Sequence, residues 1–444
     1  MIKVIGAGLA GCEAAWQIAE AGEEAELYEM KPARYTPAHK SPLFAELICS
    51  NSLKAARIES AAGLLKEEMR RLGSLLTDCA AACAVPAGGA LAVDRNEFSA
   101  LVTKRIREHP RIHIREAEEV TKLPLDGVSI VATGPLTSDA LATQIRDLCG
   151  GGLSFFDAAA PIVTAESIDR SKIFCASRYD KGGDNAYLNC PMDRPAYEAF
   201  RDALAAAERA PLHDCDVRDP KVYEGCMPIE VLAQRGMDAM RYGPMKPVGL
   251  RDPATGRRPW AVVQLRRENR EGTLYNLVGF QTNLKFGEQK RVFGMIPGLA
   301  NAVFVRYGVM HRNTFLNSPA LLNADFSMRQ LPSLFFAGQM TGVEGYMESA
   351  SSGLMAGRNA VFRLHGKETW VLPPETIIGA LSRYIAEGGE GEFQPMGANF
   401  GIVPPLGQKI KDKRDRYAAL AQRGLHALSE YLERQDEKQE VTSV

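Results

Sequence analysis

The sequence predicts an α/β protein in which a Rossmann-like domain carries an inserted α+β domain. Residues 2–29 have the pattern of strand, glycine-rich turn, helix and strand. Two later hydrophobic segments, 127–135 and 333–357, each end in a glycine turn. About two hundred residues separate these segments, far more than one crossover needs. We therefore expect the intervening residues to form a domain of their own.

The first unit is a βαβ motif that contains a glycine-rich turn. "IKVIG" suits a short buried strand, "CEAAWQIAEAG" has helical spacing, and "EAELYEM" suits a second strand. Gly6, Gly8 and Gly11 form GxGxxG before the helix, and Glu29 ends the second strand. In this context the glycines permit a tight turn and close approach of a pyrophosphate, and the acid accepts a ribose hydroxyl. The motif predicts a dinucleotide-binding site.

The segment 127–135, "GVSIVATGP", is a hydrophobic strand that ends in Ala132-Thr133-Gly134. This strand and the later glycine segment together indicate which dinucleotide is bound. We assign Thr133 and Gly134 to the cofactor site.

The segment 333–357, "SLFFAGQMTGVEGYMESASSGLMAG", continues from a strand through Gly338 and Gln339 to a helix that starts near Gly345. Such a turn late in the chain suits a long cofactor that lies across the sheet, with the helix N-terminus directed at a flavin ring. The three segments together resemble FAD-binding proteins with a glutathione-reductase-like FAD fold. Gln339 replaces the Asp that is usual in the last motif.

These patterns divide the chain into three parts. We predict residues 1–172 as the first part of the FAD-binding domain, 173–295 as an insertion domain, and 296–444 as the second part of the FAD-binding domain. Within the insertion, "AYEAFRDALAAAERA" predicts a helix, while "AVVQLRREN" and "TLYNLVGFQTNL" predict strands. The tail, "IKDKRDRYAALAQRGLHALSEYLERQ", predicts a basic amphipathic helix.

Composition limits the classes of protein that the chain can belong to. No apolar run reaches the eighteen or so residues of a membrane span, and the chain enters its first strand without a signal-peptide pattern. Nine cysteines are irregularly spaced and form no CxxC pair, which favours reduced thiols and argues against a structural zinc site. We expect a cytoplasmic protein with no bound metal, no membrane association and no evident obligate protein partner.

The basic residues are concentrated in one stretch of a chain whose formal net charge is −1. Residues 226–320 contain fourteen Lys and Arg against six Asp and Glu. Such a block is compatible with a polyanion-binding surface and equally with a solvated face rich in arginine.

The cysteines do not fit a disulfide reductase. That chemistry needs CxxxxC shortly after the first βαβ unit, and in "ELICSNSLKAA" Cys49 is present while the second position is Lys54. Cys79 and Cys83 lie in apolar "DCAAACAVP", which predicts packing in a core.

Cys226 lies in "VYEGCMPIE", where a glycine precedes it and a proline follows two residues later. This irregular segment in a basic region suits an accessible thiol of lowered pKa, although Glu224 and Glu230 oppose such a shift. A buried packing thiol remains the alternative.

Seven segments occur in an order that resembles the folate- and FAD-dependent tRNA (uracil-5-)-methyltransferase family. They are "GAGLAG", "ELICSNSLK", "ASRYDKGGDNAYLNCPM", "YEGCMPIE", "NLVGFQTNL", "YGVMHRNTFLNSP" and "FAGQMTGVEGYMESASSGL". The resemblance extends from residue 2 to about residue 405. It implies methylation of C5 of the T-loop uridine of tRNA, with 5,10-methylenetetrahydrofolate as one-carbon donor and reduced FAD as reductant. NADH or NADPH would reduce the flavin.

The resemblance also implies roles for individual residues. Cys226 is expected to add to uracil C6, and Cys49 to act as general base or proton-transfer partner, although the two roles could be exchanged. Cys190 also precedes a proline and is interpreted as structural. His311 is expected to stack the pterin against the flavin, and the neighbouring Arg312 to meet a folate carboxylate or a phosphate.

The tRNA contacts are expected from the insertion and the tail. The candidates are Arg235, Arg241, Lys246, Arg266, Arg267, Lys285, Lys290, Arg291, Lys409, Lys411, Lys413 and Arg414. The alternative functions are a tRNA wobble-uridine modifying flavoprotein, a small-molecule flavin oxidoreductase and a non-catalytic tRNA-binding flavoprotein.

Overall fold

The computed structural model describes residues 1–36, 38–150, 153–158, 160–180, 187–210, 227–269, 271–308, 310–389 and 393–442. For 153–158, 180, 310–314 and 438–442 it describes the backbone alone.

Sixteen strands form in these ranges. They are β1 (Ile2–Ile5), β2 (Ala25–Glu29), β3 (Ser52–Ala55), β4 (Ala84–Val85), β5 (Ala90–Val93), β6 (Ile112–Glu116), β7 (Ser129–Val131), β8 (Leu153–Ala158), β9 (Ile162–Thr164), β10 (Phe174–Cys175), β11 (Tyr187–Met192), β12 (Ala261–Arg267), β13 (Leu274–Leu277), β14 (Phe304–Arg306), β15 (Met310–Phe315) and β16 (Leu334–Phe336).

The α-helices of the same ranges are α1 (Leu9–Glu20), α2 (Ala61–Arg71), α3 (Leu75–Ala82), α4 (Arg95–Glu108), α5 (Asp139–Cys149), α6 (Arg194–Ala205), α7 (Ile229–Arg235), α8 (Ala239–Tyr242), α9 (Phe286–Phe293), α10 (Ser318–Leu321), α11 (Tyr346–Leu364), α12 (Ile377–Glu387) and α13 (Lys413–Thr442). None of these helices, as far as the chain is described, combines the length and apolar character needed to cross a membrane.

The first sheet is parallel throughout and has the strand order β16-β7-β1-β2-β6. Strands β1, β7 and β16 are almost wholly buried, as expected for apolar strands covered on both faces. The predicted βαβ unit is confirmed, and the two later hydrophobic segments supply β7 and β16 beside β1. All three glycine turns therefore follow neighbouring strands at the same edge of the sheet.

The second sheet is antiparallel and has the order β10-β11-β12-β13-β9-β14. Helices α6, α7 and α9 pack on it around a hydrophobic core separate from the first. The inserted α+β unit expected from the sequence is thus present. Its strands β9 and β14 lie outside the predicted limits 173 and 295, and those boundaries stay a prediction.

Two smaller sheets complete the framework. Strands β3, β5 and β4 form an antiparallel sheet next to the first core. Strands β8 and β15, which lead into and out of the second sheet, pair with each other in antiparallel register from Leu153↔Phe315 to Ala158↔Met310. The two connections between the domains therefore form one two-stranded ribbon.

Helix α11 lies against α1 at two glycines one helical turn apart. A Cβ at Gly353 would lie 2.1 Å from the carbonyl oxygen of Ala10, and a Cβ at Gly357 would lie 2.6 Å from that of Ala14. Both distances are below any real Cβ contact, so only glycine permits this spacing. The contact joins the beginning of the chain to its last glycine motif.

Gly353→Ala should therefore destabilise the first domain. The added Cβ would collide with the backbone of Ala10, which cannot move without the rest of α1. Overpacking of this kind costs about 1–3 kcal/mol. Gly287→Ala is the matched control, since Gly287 also lies in a helix and has no heavy atom within 4 Å of an added Cβ. Denaturant unfolding of both variants tests this prediction, and equal free energies of unfolding would contradict it.

Candidate functional site

One cleft opens at the carboxyl ends of β1, β2, β7 and β16. It encloses about 1410 Å³ of empty space, part of it open to solvent. Four segments line it where these strands end: 6–10, 28–31, 132–138 and 338–339. Clefts at this position of an open α/β sheet are the usual ligand sites of the fold.

The GxGxxG turn has the geometry that a pyrophosphate site requires. Gly6 has φ +99°, and a Cβ there would lie 2.8 Å from the carbonyl oxygen of Ala132. A Cβ at Gly11 would lie 1.8 Å from the carbonyl oxygen of Gly6, so this glycine brings helix and strand together and does not line the cleft. Gly8 lines the cleft, and an added Cβ there would meet no atom within 4 Å. Space for a ligand is therefore kept at the middle glycine.

Glu29 lies at the end of β2 and faces the same turn. Its Oε2 accepts from the backbone N–H of Ala7 at 3.0 Å, and its Oε1 accepts from that of Lys31 at 2.9 Å. The carboxylate is buried and fixed in place, and each oxygen retains further acceptor capacity for a ribose hydroxyl.

Two helix N-termini meet at the cleft without a side-chain cap, as far as the described residues show. Helix α1 starts after Gly8, and α11 starts after Gly345. Uncapped N-terminal amides carry partial positive charge and bind phosphate or a developing anion. With the glycine turn and Glu29, these features fit a dinucleotide.

The remaining predicted cofactor residues fall into two groups. Thr133, Gly134, Gly338 and Gln339 line the cleft, and the side-chain amide of Gln339 donates to Glu344 at 2.8 Å. Gly345 does not line it. A Cβ at Gly345 would lie 2.2 Å from Oε2 of Glu348 and 2.5 Å from Nζ of Lys54, so this glycine allows close packing behind the cleft.

Cys49 lies at one end of the cleft and contacts Tyr346, the first residue of α11. The Sγ of Cys49 is 3.0 Å from the Oη of Tyr346. The same oxygen accepts from the backbone N–H of Cys49 at 2.7 Å and from that of Ser50 at 3.3 Å. The tyrosine thus holds both the thiol and its backbone.

The second domain contributes charged residues to this end of the cleft. Arg95 at the start of α4 donates to the carbonyls of Leu47 and Ile48, and its Nη2 lies 2.9 Å from Oε2 of Glu268, which follows β12. The Oε1 of Glu268 is buried and has no partner among the described residues. Burial lowers the pKa of Arg306 from β14, and the neighbouring Arg95 lowers it further. A buried cationic cluster therefore lies beside Cys49.

Arg266 is not available for RNA contact, so the prediction for this residue is wrong. Its side chain is buried, and it donates to Asn51 at 3.0 Å and to Ser50 at 2.7 Å. Asn51 in turn donates to the carbonyl of Arg267 at 2.9 Å. Strand β12 directs the side chain of Arg266 into the interior. Nothing in the sequence indicated this, because a charged residue is normally expected at the surface. These bonds fix the segment after Cys49 to the second domain.

The other described cysteines of the predictions are packed in cores. Cys79 and Cys83 are buried in the first core, as the apolar segment predicts, and burial raises the pKa of Cys79 to about 12. Cys190 is fully buried in the second core, and burial raises its pKa strongly. The structural interpretation of Cys190 is confirmed.

Three predicted residues are beyond what the structure describes. Cys226 lies outside the described residues. For His311 and Arg312 only the backbone is described, in strand β15. Their roles stay predictions.

Sequence reasoning missed Tyr346, Arg95 and Glu268. Tyr346 stands in the glycine-rich segment 333–357, but a single tyrosine at a helix start carries no functional pattern. Arg95 and Glu268 are far apart in sequence, and only the packing of the two domains brings them together.

The fold and the cleft are those of a known class of protein. Residues 1–368 match the family model described as GIDA, Glucose inhibited division protein A. The form I and form II crystal structures of Aquifex aeolicus GidA superimpose with TM-scores of 0.69 and 0.68 at 17% and 18% identity. The superpositions cover 98% of this chain and 79% and 76% of those chains. The chain belongs to this GIDA family, and the predicted α/β fold class is confirmed.

More similar relatives place the chain within this class. The proteins named methylenetetrahydrofolate–tRNA-(uracil-5-)-methyltransferase TrmFO from Lactobacillus gasseri, Acetivibrio thermocellus and Desulfitobacterium hafniense are 56%, 57% and 58% identical to it. Each match covers 97% of this chain and 98% of the relative. The chain belongs to the TrmFO family of enzymes.

Glu29→Gln should weaken binding of the FAD that the sequence predicts. The substitution removes the negative charge of the carboxylate. It also places an amide N–H₂ group where one carboxylate oxygen now accepts a hydrogen bond from a backbone N–H. A hydrogen bond to a charged group is worth about 1.5–3 kcal/mol, which corresponds to roughly 10- to 100-fold in affinity. Titration of FAD into flavin-free protein, followed by flavin fluorescence, measures the change. Glu24→Gln, which removes an exposed carboxylate just before β2, is the control, and equal affinities would contradict the assignment.

Proposed function

We propose that the chain methylates C5 of the T-loop uridine of tRNA, with 5,10-methylenetetrahydrofolate as one-carbon donor. The observation that supports this most is the position of Cys49, at the end of a dinucleotide cleft in a member of the TrmFO family. A thiol at that point can meet a substrate base that lies against the bound cofactor. A tRNA substrate would place the enzyme in the cytoplasm.

The residues that line the cleft fit FAD. The turn at Gly6 and Gly8 with the N-terminus of α1 would hold the pyrophosphate, and Glu29 would accept a ribose hydroxyl. Thr133, Gly134 and the 338–339 turn would contact the rest of the cofactor. When bound and reduced by NADH or NADPH, this cofactor would supply the hydride that turns the transferred methylene into a methyl group. His311 would stack the pterin on the open side.

The thiols activate a base that is a poor nucleophile. The thiolate of Cys226 adds to uracil C6, and the electron pair of the C5–C6 double bond moves to give an enolate with carbanion character at C5. C5 then attacks the methylene carbon, whose bond to a folate nitrogen breaks. Cys49 accepts the C5 proton as the second bond between the methylene carbon and a folate nitrogen breaks, which leaves an exocyclic methylene at C5. A hydride then adds to this methylene while the sulfur of Cys226 leaves C6 and the C5–C6 double bond forms again.

The basic stretch 226–320 supports an RNA substrate, and its exposed members are the candidates for phosphate contacts. Lys246 is exposed and Arg267 is partly exposed, in contrast to the buried Arg266. The target uridine must leave its stack to reach Cys49, because the thiol lies in a half-buried position at the end of the cleft.

The wobble-uridine alternative has less support. The GidA structures share the fold at 17–18% identity, while TrmFO proteins match at 56–58% over almost the whole chain. The likeness to the GidA structures concerns the fold alone, and the TrmFO matches favour uracil-5 methylation.

A covalent trap tests the proposal directly. A tRNA T-arm with 5-fluorouridine at the target position is mixed with the reduced, folate-loaded protein and run on a denaturing gel. Fluorine at C5 cannot leave as a proton does, so an adduct at C6 should persist in the wild-type protein. We expect Cys226→Ala to abolish the adduct. Cys190→Ala, at a thiol buried in the second core, is the control and should retain it.

The outcomes separate the alternatives. Loss of the adduct only in Cys49→Ala would exchange the roles of the two cysteines. If no adduct forms in any protein while the flavin is still reduced, the proposed methylation is wrong, and small-molecule oxidation or wobble-uridine modification takes its place.

A further inference from the structure

We propose that Tyr346 is a positioning residue whose hydroxyl donates a hydrogen bond to the sulfur of Cys49 and holds that cysteine as a thiolate. This inference deepens the proposed function and rests on it for the role of Cys49. The tyrosine acts through the cysteine and has no assigned contact with substrate.

The direction of the hydrogen bond follows from the partners of one oxygen atom. A tyrosine hydroxyl has one hydrogen and two lone pairs. Two backbone N–H groups, those of Cys49 at 2.7 Å and Ser50 at 3.3 Å, point at the Oη of Tyr346. They occupy both lone pairs, so the hydroxyl hydrogen is left for the Sγ of Cys49 at 3.0 Å. A donor in this position stabilises a thiolate more than a thiol, because bonds to charged acceptors are stronger.

The tyrosine keeps its proton while the cysteine loses one. Burial raises the pKa of Tyr346 well above its ordinary value, and the charge of Cys49 raises it further. Tyr346 therefore remains a donor throughout the pH range in which cysteines ionise.

Other charged groups around Cys49 also favour its thiolate form. Among the described residues, the guanidinium groups of Arg95 and Arg306 face it, and each interacts electrostatically with Cys49 and with Tyr346. Glu268 opposes them, but its Oε2 is bound to Arg95. Arg266 donates to the Oγ of the neighbouring Ser50. The guanidinium groups of Arg95 and Arg306 therefore favour a negative charge on the sulfur.

A thiolate at Cys49 suits the step assigned to it. A group that accepts the C5 proton of uracil must be unprotonated when the substrate arrives, and a free cysteine is mostly protonated at neutral pH. The hydrogen bond from Tyr346 favours the unprotonated form. Because Tyr346 is the first residue of α11, the same helix that faces the cofactor cleft fixes this donor.

The proposal is tested by the pH dependence of alkylation of Cys49. The flavin-containing protein is treated with iodoacetamide across a pH series, and the Cys49 peptide is quantified separately from the Cys226 peptide by mass spectrometry. We expect Tyr346→Phe to move the midpoint of the Cys49 profile upward by about one to two pH units, the value of one hydrogen bond to a charged group. Tyr197→Phe is the control, since that buried hydroxyl donates to the carbonyl of Met237 in the other domain.

A second variant separates electrostatics from simple support of the loop, because Tyr346→Phe also leaves two backbone N–H groups without an acceptor. 3-Fluorotyrosine at position 346, introduced by stop-codon suppression, keeps the oxygen and makes the hydroxyl a stronger donor. It should move the midpoint downward. If Tyr346 only supported the loop, the 3-fluorotyrosine protein would have the same midpoint as the wild type.

An unchanged midpoint in Tyr346→Phe, or in the 3-fluorotyrosine protein, would overturn the proposal. The alkylation profile does not depend on methylation. Shifted midpoints together with a failed 5-fluorouridine trap would therefore leave Tyr346 as the donor to Cys49 and reject only the proposed reaction.

Discussion

The close contact of α11 with α1 is the constraint on which the site depends. Gly353 and Gly357 let the two helices approach to a distance that no side chain would allow. This approach brings the last glycine segment beside the first, although more than three hundred residues separate them in sequence. Both helix N-termini then face the cleft, and Tyr346 reaches Cys49. The two glycines in the contact between α1 and α11 thus determine the geometry of the polar site at the N-terminal end of α11.

The second domain completes the site through a few buried polar contacts. Arg95 bonds the carbonyls before Cys49 and the carboxylate of Glu268, while Arg266 bonds Ser50 and Asn51 after it. Buried side-chain hydrogen bonds rigidify the segments that they join. Here they fix the thiol-bearing segment from both sides. The position of Cys49 is therefore a property of the two domains together.

Local patterns were enough to predict the parallel sheet, the glycine turns and the inserted unit, because strand periodicity and GxGxxG report on neighbouring residues. They also predicted the burial of Cys79 and Cys83. They did not predict that Arg266 points inward, since its surroundings depend on a loop 215 residues away. Tyr346 was missed for the same reason: its partners are the backbone amides of a distant segment. The strands β9 and β14 are each only three residues long, too short to show a periodicity in the sequence.

The pairing of β8 with β15 has a consequence for how this architecture could arise. The chain leaves the first domain and returns to it on adjacent strands, so the two ends of the insertion lie side by side. A short hairpin turn could join them in its place without disturbing the parallel sheet. The second domain can therefore be regarded as an expanded hairpin loop, which a dinucleotide-binding ancestor could have enlarged while its own framework stayed intact.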